Sequence, residues 1–269
     1  MSIPKVWNRK NRILLKELVK TDFKLRYQGS VLGYAWAILR PMLMFLIMYL
    51  VFAKFLGLGN GIPHYPVYLL TGTVMWNFFT ECTGQGIQAI VNRGDLLRKL
   101  SFPKWIIVVS ATATALINLS INLLVVIVFA LINGVTPGWS WLLAPLSILE
   151  IYALSLGLSM LLGAINVKFR DISSIWDVTQ QALFYAIPII YPISIVLETS
   201  PIAAKILMLN PIAEAVQDIR HNLITAETIT TWDLTNIGVA VAPILFVILL
   251  LVISGLYFRK KSRYFAEEI

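Results

Sequence analysis

The chain has 269 residues, of which 58% are hydrophobic and only 13% are charged, with a formal net charge of +8 at pH 7. Soluble domains average roughly 25% charged residues, so a soluble core of this size could not bury so much apolar surface. The composition therefore predicts a membrane protein. Cys82 is the only cysteine, which excludes an intrachain disulfide and a cluster of thiolate metal ligands.

Residues 1–33 are basic and precede the first apolar run. Leu15, Val19, Phe23 and Tyr27 repeat every four residues, which predicts one apolar stripe along a helix. Lysines flank this stripe at the same spacing, a pattern typical of a helix that lies in the lipid headgroup layer. A helix packed on a soluble partner would have the same pattern, so both interpretations stay open.

Six apolar runs follow that are long enough to cross roughly 30 Å of hydrocarbon. They cover residues 34–56, 67–90, 105–132, 141–166, 175–197 and 237–258. The second contains Asn77 and Glu81, which at that depth must face protein or water. The fifth is interrupted by Pro188 and Pro192. We therefore predict an all-α membrane protein, with six transmembrane helices over 34–258 and a tail at 259–269.

Lysine and arginine predict the orientation of these spans. Eighteen of the 22 fall in residues 1–33, 91–105, 167–174 and 259–269. The loops on the opposite side contain only Lys205 and Arg220, so both termini are predicted in the cytoplasm. The segment 198–236 would then be outside. Its residues 211–223 have helical apolar spacing, which fits either an exposed amphipathic helix or a re-entrant pair.

Two short cytoplasmic segments separate the spans. In Asn92–Lys104, Asp95 lies where a short helix would begin and Arg98 lies near its end, an order that suits the helix dipole. Pro103 would end that helix. The second segment is Val167–Asp171, also helical in pattern. Either could be a plain connector, but a stiff short helix can also transmit movement from a soluble motor to the spans.

Several kinds of chemistry are excluded by the motifs. No GxxxxGK[ST] sequence occurs to hold nucleotide phosphates, and there is no HExxH or GxSxG motif. His64 and His221 have no ligand-like neighbours. We therefore predict no catalytic residue, no metal site, no cofactor bound by this chain and no nucleic-acid partner. Glu81 and Glu150 could relay protons within the spans, or could face a polar cavity.

The chain resembles the permease subunit of bacterial type-2 ABC exporters for polysaccharides and polyol phosphates. The matching stretches, in order, are YQGSVLGYAWAILRPMLMFLIMYLVF (27–52), NRGDLLRKLSFPKW (92–105), NVKFRDISSIWD (166–177), FYAIPIIYPIS (184–194) and LNPIAEAVQDIR (209–220). The resemblance implies a subunit that moves a lipid-linked O-antigen, capsule, teichoic acid or galactan chain across the bacterial cytoplasmic membrane. It also implies that two copies pair and bind two copies of a separate ATPase, which holds ATP and Mg²⁺.

The resemblance further implies that both cytoplasmic segments are coupling helices that contact the ATPase. The expected coupling residues are Arg93, Asp95, Leu97, Arg98, Phe102, Pro103, Phe169, Arg170 and Asp171. Leu97 and Phe102 would be the apolar anchors buried in the ATPase, and Asp95 with Arg98 would set the register. The segment 192–237 would form short external gating helices.

One arginine and several aromatic residues are candidates for the substrate entrance and channel. They are Tyr34, Trp36, Arg40, Tyr49, Phe184, Tyr185 and Tyr191. Aromatic faces would let a sugar polymer slide, although helix packing or an interfacial belt would use the same residues. Arg40 would either snorkel to the inner interface or bind the phosphates of a lipid-linked substrate in its fork geometry.

Two other functions fit the composition. An ATP-independent flippase or secondary transporter of lipid-linked sugars would need an internal repeat or an intramembrane ion site, and neither is evident. A membrane-embedded glycan-processing enzyme would need a pair of carboxylates in a cavity. The acids Glu198, Glu214 and Asp218 of the long external segment make that conceivable.

Overall fold

The computed structural model describes residues 8–59 and 61–268, apart from the side chains of Tyr27 and Ala266. All regular structure in these residues is helical, as predicted. The first seven residues of the predicted interfacial segment, and the last residue of the predicted tail, lie outside the described residues.

The α-helices of the described residues are numbered in chain order. They are α1 Arg9–Tyr27, α2 Trp36–Met48, α3 Tyr65–Asn92, α4 Gly94–Lys99, α5 Trp105–Ile132, α6 Ala144–Asn166, α7 Ile172–Ala186, α8 Ile193–Thr199, α9 Pro201–Met208, α10 Pro211–Leu223, α11 Thr231–Leu234, α12 Ile237–Ala240, α13 Ala242–Lys261 and α14 Phe265–Glu268. The 3₁₀ helices Gly33–Ala35 and Trp139–Leu143 lead into α2 and α6, and the π-helix Tyr49–Phe55 continues α2.

Four helical segments of the described residues are long and apolar enough to cross a membrane. They are Gly33–Phe55, Trp105–Ile132, Trp139–Asn166 and Ile237–Lys261. These segments agree closely with the first, third, fourth and sixth predicted spans. The second and fifth predicted spans are not among these four segments, and the physical reason for the absence differs between the two.

The second predicted span corresponds to α3, which lies at the centre of the protein. Its 28 residues extend about 42 Å, but their side chains are too polar for a helix that faces lipid. The helix packs against α5, α6, α7 and α10. At Gly86, an added Cβ would lie 2.2 Å from Ser159 Oγ of α6. Such small residues let membrane helices approach closely. The polar side chains of Glu81 and Gln85 are half-buried, whereas that of Asn77 stays exposed.

The fifth predicted span, 175–197, is not one helix. The 15-residue α7 ends at Ala186, and α8 begins only at Ile193. Ile187, which precedes Pro188, has an extended backbone with φ −91° and ψ 146°. Proline disfavours helical geometry in the residue before it, which explains the break. At about 22 Å, α7 alone is shorter than the hydrocarbon core of a bilayer.

The helix α10 is buried, which disfavours an exposed amphipathic helix, one of the two alternatives left open for this segment. It begins at Pro211, and the Asn210 side chain caps it by accepting a hydrogen bond of 2.9 Å from the Ile212 backbone N–H. Its apolar stripe and several of its polar side chains are buried against α3, α6 and α13. Burial of polar groups on this scale requires specific partners.

Arg220 of α10 is fully buried and holds the break between α7 and α8 in place. Its guanidinium donates to the carbonyls of Pro188 at 2.8 Å, Ile189 at 2.5 Å and Tyr68 at 3.0 Å. The guanidinium carbon also lies 3.6 Å from the centre of the Tyr68 ring. At Gly72 of α3, an added Cβ would lie 2.0 Å from Arg220 Nη2, so glycine makes the room for this side chain.

Candidate functional site

A cavity of about 390 Å³ opens where the end of α1 meets α2, α3 and α5. Its walls contain three asparagines, three charged residues and several apolar groups. The lining residues are Arg26, Ser30, Trp36, Ala37, Arg40, Pro41, Val74, Asn77, Phe78, Glu81, Asn118, Leu119 and Asn122. The structure thus brings together Trp36 and Arg40, two of the predicted entrance residues, beside the interfacial helix.

Glu81 of α3 is the centre of a polar network in the cavity wall. Its carboxylate pairs with Arg26 at the end of α1. The same oxygen accepts hydrogen bonds from Asn118 Nδ2 at 2.6 Å and Gln85 Nε2 at 3.1 Å. The charge of Glu81 is therefore compensated within the chain, which supports the interpretation that Glu81 faces a polar cavity.

Asn122 lies one helical turn beyond Asn118 on α5 and also lines the cavity. Its Nδ2 donates to the carbonyls of Asn118 at 2.8 Å and Ala37 at 3.3 Å. Its Oδ1 is buried and has no hydrogen-bond partner among the described residues. Sequence reasoning did not single out these residues, although two asparagines four positions apart in a strongly apolar span were a usable signal.

Arg40 differs from the other charged residues of the cavity. Its side chain is exposed, and it makes no hydrogen bond or ion pair with any residue in 8–59 or 61–268. Because Arg26 is engaged by Glu81, Arg40 is the charged group of the cavity that can accept an anionic ligand. A guanidinium binds carboxylate or phosphate oxygens with two parallel hydrogen bonds.

The remaining predicted channel aromatics do not line this cavity. Tyr34 stacks on Phe23 of α1 with ring centres 5.4 Å apart, and Tyr49 stacks on Phe45 at 5.9 Å. Three others lie around the helix break on α7. There the Phe184 ring lies 5.3 Å from that of Tyr185, and Tyr191 donates to the Ala186 carbonyl at 2.8 Å. A single copy of the chain therefore separates the predicted channel residues into three groups.

The first cytoplasmic segment contains a short helix, as predicted. This is α4, Gly94–Lys99, with Asp95 in its first turn and Arg98 in its last. The second segment, Val167–Asp171, is a turn rather than a helix, which corrects the prediction. Its backbone hydrogen bonds close separate turns, with Phe169 N–H donating to the Ile165 carbonyl at 3.0 Å and Ile172 N–H donating to the Phe169 carbonyl at 3.2 Å. Phe169, Arg170 and Asp171 are nevertheless exposed.

Leu97, predicted as an anchor for a partner, lies inside the protein instead. It is 6% exposed and packs in an apolar cluster with Ile107, Val167 and Phe258. A six-residue helix is not stable alone, so one face of α4 must pack on the chain. Phe102 packs against the same cluster. The exposed apolar residue of this segment is Leu100, at 53%, which the sequence argument did not choose.

Arg93 connects the start of α4 to the interfacial helix. Its guanidinium pairs with Asp22 of α1 and donates to Ser110 Oγ at 3.1 Å. Asp22 lies one turn before Arg26, whose partner Glu81 lines the cavity. Two ion pairs therefore hold α1 against α3 and α4, and Arg93 is engaged within the chain.

Asp218 of the segment 198–236 lines a cavity of about 700 Å³ together with Glu150 and Asp233, whereas Glu198 and Glu214 do not line it. Glu214 is fully buried on α10, whereas Glu198 is exposed on α8. Burial, and then the charges of Glu150 and Asp218, raise the pKa of Glu214 to about 9, so it is protonated at neutral pH. Within the described part of the chain, no group of three or more His, Cys, Asp or Glu side chains could hold a metal ion.

The sequence matches a known transporter family. The sequence model of the family described as ABC-2 type transporter matches residues 13–224. The chain belongs to the ABC-2 type transporter family. The cavity, α4 and the Arg220 site all lie within the matched region, whereas α13 and α14 lie beyond it.

Relatives of this ABC-2 protein carry names of export systems. It is 35% identical over 200 residues to the O-antigen export system permease protein RfbA of Myxococcus xanthus, covering 74% of this chain and 76% of the relative. It is 27% identical over 238 residues to an O-antigen export system permease protein RfbA of Klebsiella pneumoniae, covering 85% and 90%. It is 21% identical over 183 residues to the polysialic acid transport protein KpsM of Escherichia coli, covering 68% and 71%.

Proposed function

We propose that this ABC-2 protein is the membrane subunit of an ATP-driven exporter that moves a lipid-linked polysaccharide out of the cytoplasm across the bacterial cytoplasmic membrane. The names of its relatives, which concern O-antigen and polysialic acid, support a polysaccharide of the O-antigen, teichoic acid, capsule or galactan class. The subunit is not an enzyme. ATP and Mg²⁺ bind to a separate ATPase subunit, because this chain contains no phosphate-binding loop.

The observation that carries this proposal is the cavity beside α1. It is next to a basic amphipathic helix, and it contains Arg40 at membrane depth without a partner among the described residues. An arginine in a span is costly unless it is compensated, and such residues are usually functional. The phosphates of a lipid-linked glycan would provide that compensation while the lipid chains stay in the bilayer.

Two further groups in the cavity suit such a ligand. Trp36 offers an apolar face at the level of the lipid headgroups, where tryptophan is generally favoured. The buried Oδ1 of Asn122 is an acceptor for a hydroxyl or amide group of the ligand, once the side chain moves enough to expose it. The lysines of α1 add a weaker attractive field for anionic lipids.

We further propose six membrane crossings, with both termini in the cytoplasm. The second crossing is α3, whose length suffices and most of whose side chains are buried against neighbouring helices. The fifth consists of α7 together with the broken segment before α8. The helices α8 to α11 then form the external gate. The distribution of lysine and arginine supports this orientation.

Two copies of the chain would enclose the channel. Much of the first span is exposed in one copy, including Tyr34 and Trp36, and Tyr185 is exposed on α7. A second copy would bring these aromatic surfaces opposite each other. The ATPase would contact the exposed residues of the two cytoplasmic loops. These are Asp95, Arg98, Leu100, Phe169, Arg170 and Asp171.

The ATPase contact can be tested by comparing two leucines of the same loop. Leu100→Ala removes an exposed apolar side chain and should weaken binding of the ATPase by about 1 kcal/mol or more, without loss of folded protein. Leu97→Ala should instead lower the stability of the permease by about 2–5 kcal/mol, since it opens a cavity in the core. Co-purification with the ATPase and thermal unfolding measure the two effects. Equal ATPase binding in wild type and Leu100→Ala would remove Leu100 from the contact.

The substrate site can be tested with Arg40→Lys in cells that depend on the exporter. We expect most export to be lost while the protein level and ATPase binding persist, because an ammonium cannot form the paired hydrogen bonds of a guanidinium. Arg12→Lys, the same change at an exposed site on α1 outside the cavity, is the control. Normal export by Arg40→Lys would mean that Arg40 only snorkels. Export that persists without the ATPase would overturn the proposed function itself.

A further inference from the structure

The last described helix, α14, folds back onto the cytoplasmic loops. After α13 the chain turns at residues 262–264, where Ser262 N–H donates to the Phe258 carbonyl at 2.7 Å and Tyr264 N–H donates to the Lys261 carbonyl at 3.0 Å. The four-residue α14 follows and contacts α4. This part of the chain was expected to be only a tail.

Phe265, the first residue of α14, is completely buried. Its ring meets that of Phe258 edge to face, with centres 5.4 Å apart. The Nζ atom of Lys104 lies 5.9 Å from the centre of the Phe265 ring. An aromatic side chain of this size buries a large apolar area at a site that is otherwise close to water.

The cluster that contains Phe265 joins parts of the protein that are far apart in sequence. It includes Leu97 from α4, Ile107 from the start of α5, Val167 from the second cytoplasmic loop and Phe258 from the end of α13. Both cytoplasmic loops and the last span therefore share one apolar core. Packed cores resist gradual deformation, so elements that share one tend to move together.

Lys104 gives α14 a second attachment to the first loop. Partial burial lowers the pKa of Lys104, and the carboxylate of Glu267 on α14 opposes this by favouring the charged ammonium. Lys104 directly precedes α5, and Pro103 and Phe102 connect it to α4. The contact of the Lys104 ammonium with the Phe265 ring therefore joins α14 to the same loop.

We propose that Phe265 is a positioning residue for energy coupling: it holds the two cytoplasmic loops and the last span as one unit, so that movement of the ATPase is passed to the membrane helices. This proposal rests on the proposed function, in which those loops contact an ATPase. Phe265 itself is buried and touches neither nucleotide nor substrate. Without it, α4 and the second loop would move with the ATPase but independently of α13.

The test uses the full-length protein assembled with its ATPase in vesicles, with the series Phe265→Leu, Phe265→Val and Phe265→Ala. We expect export per ATP hydrolysed to fall by roughly two- to thirtyfold along the series, with Leu closest to wild type. ATPase binding and the amount of complex should stay near wild type. Tyr264→Ala, at a 52% exposed neighbouring residue outside the cluster, should couple normally.

Hydrogen exchange of the same complexes adds a local measurement. Amides of residues 94–104 should exchange faster in Phe265→Val than in wild type, while those of α3 stay unchanged. If wild type neither binds an ATPase nor exports, the proposed function fails. If wild type is coupled and all three variants export as much per ATP as wild type, Phe265 serves folding only, and this inference alone is overturned. The same conclusion applies to a variant that accumulates poorly, because export per ATP hydrolysed is measured only on the assembled complex.

Discussion

Arg220 and Arg40 lie among apolar helices in opposite physical situations. Arg220 is fully buried on α10, and its donors go to three backbone carbonyls and to Gln217 Oε1 at 3.2 Å. Arg40 is exposed at the wall of the cavity beside α1, and the described residues offer it no partner. The fold provides hydrogen-bond partners for the Arg220 guanidinium. It provides none for Arg40 among the described residues, so a partner of Arg40 would have to be a ligand.

Under the proposed function, this difference separates a structural arginine from a functional one. A buried charge is tolerated only when its hydrogen-bonding groups are satisfied, and the broken helix at Pro188 supplies carbonyls that lack helical donors. Arg220 and the break therefore stabilise each other. An unpaired arginine at membrane depth adds nothing comparable to stability, so its place in the chain needs a ligand as its explanation.

The largest expected effect is the loss of the Arg220 site. Arg220→Lys should lower the free energy of unfolding by at least about 3 kcal/mol, because one ammonium cannot replace the three nitrogens that donate to three separate carbonyls. Thermal unfolding in detergent and the yield of monodisperse protein measure this. Arg12→Lys on α1 should leave both unchanged. A wild-type melting temperature for Arg220→Lys would show that the buried hydrogen bonds contribute little.

The second-largest expected loss of stability comes from filling the space beside the Arg220 guanidinium. Gly72→Ala would place a Cβ 2.0 Å from Arg220 Nη2, so we expect a loss of about 2 kcal/mol from overpacking. Gly84→Ala on the same helix is the matched control, because an added Cβ there meets nothing within 4 Å. Alanine favours helix by about 1 kcal/mol, so that control should be neutral or stabilising. Similar melting temperatures for both variants would contradict the close contact at Gly72.

A smaller effect is expected for the ion pair that closes the other side of the cavity. A double-mutant cycle with Arg26→Met and Glu81→Gln should give a coupling energy of about 1 kcal/mol, since both side chains are partly exposed. The coupling energy should fall when the salt concentration is raised. Additive effects of the two changes would mean that Asn118 and Gln85, rather than Arg26, compensate Glu81.

The smallest effect on stability is expected for Arg40. Arg40→Ala should change the free energy of unfolding by less than about 0.5 kcal/mol, as for an exposed residue without partners, although export is lost. Thermal unfolding of the permease alone measures the first quantity. A loss comparable to that of Arg220→Lys would place both arginines in the same structural role and remove the contrast between them.

Local patterns in the sequence determined most of the helical layout. The bilayer length and the apolar runs predicted six spans, four of which correspond to helical segments long and apolar enough to cross a membrane, and helix periodicity predicted α1. The charge order around Asp95 and the stop at Pro103 predicted α4. Because these rules act over a few residues, they also located the helix break at Pro188. They did not identify the distant side chain that stabilises the break.

The tertiary structure decided which polar side chains find hydrogen-bond or ion-pair partners within the chain. Arg220 meets a carbonyl 152 positions away in the sequence, and Arg26 meets an acid 55 positions away. It also placed Leu97 inside and Leu100 outside, although both are leucines of the same short segment. The partner of a polar group and the face of a short helix depend on how distant helices pack. No periodicity within a single segment contains that information.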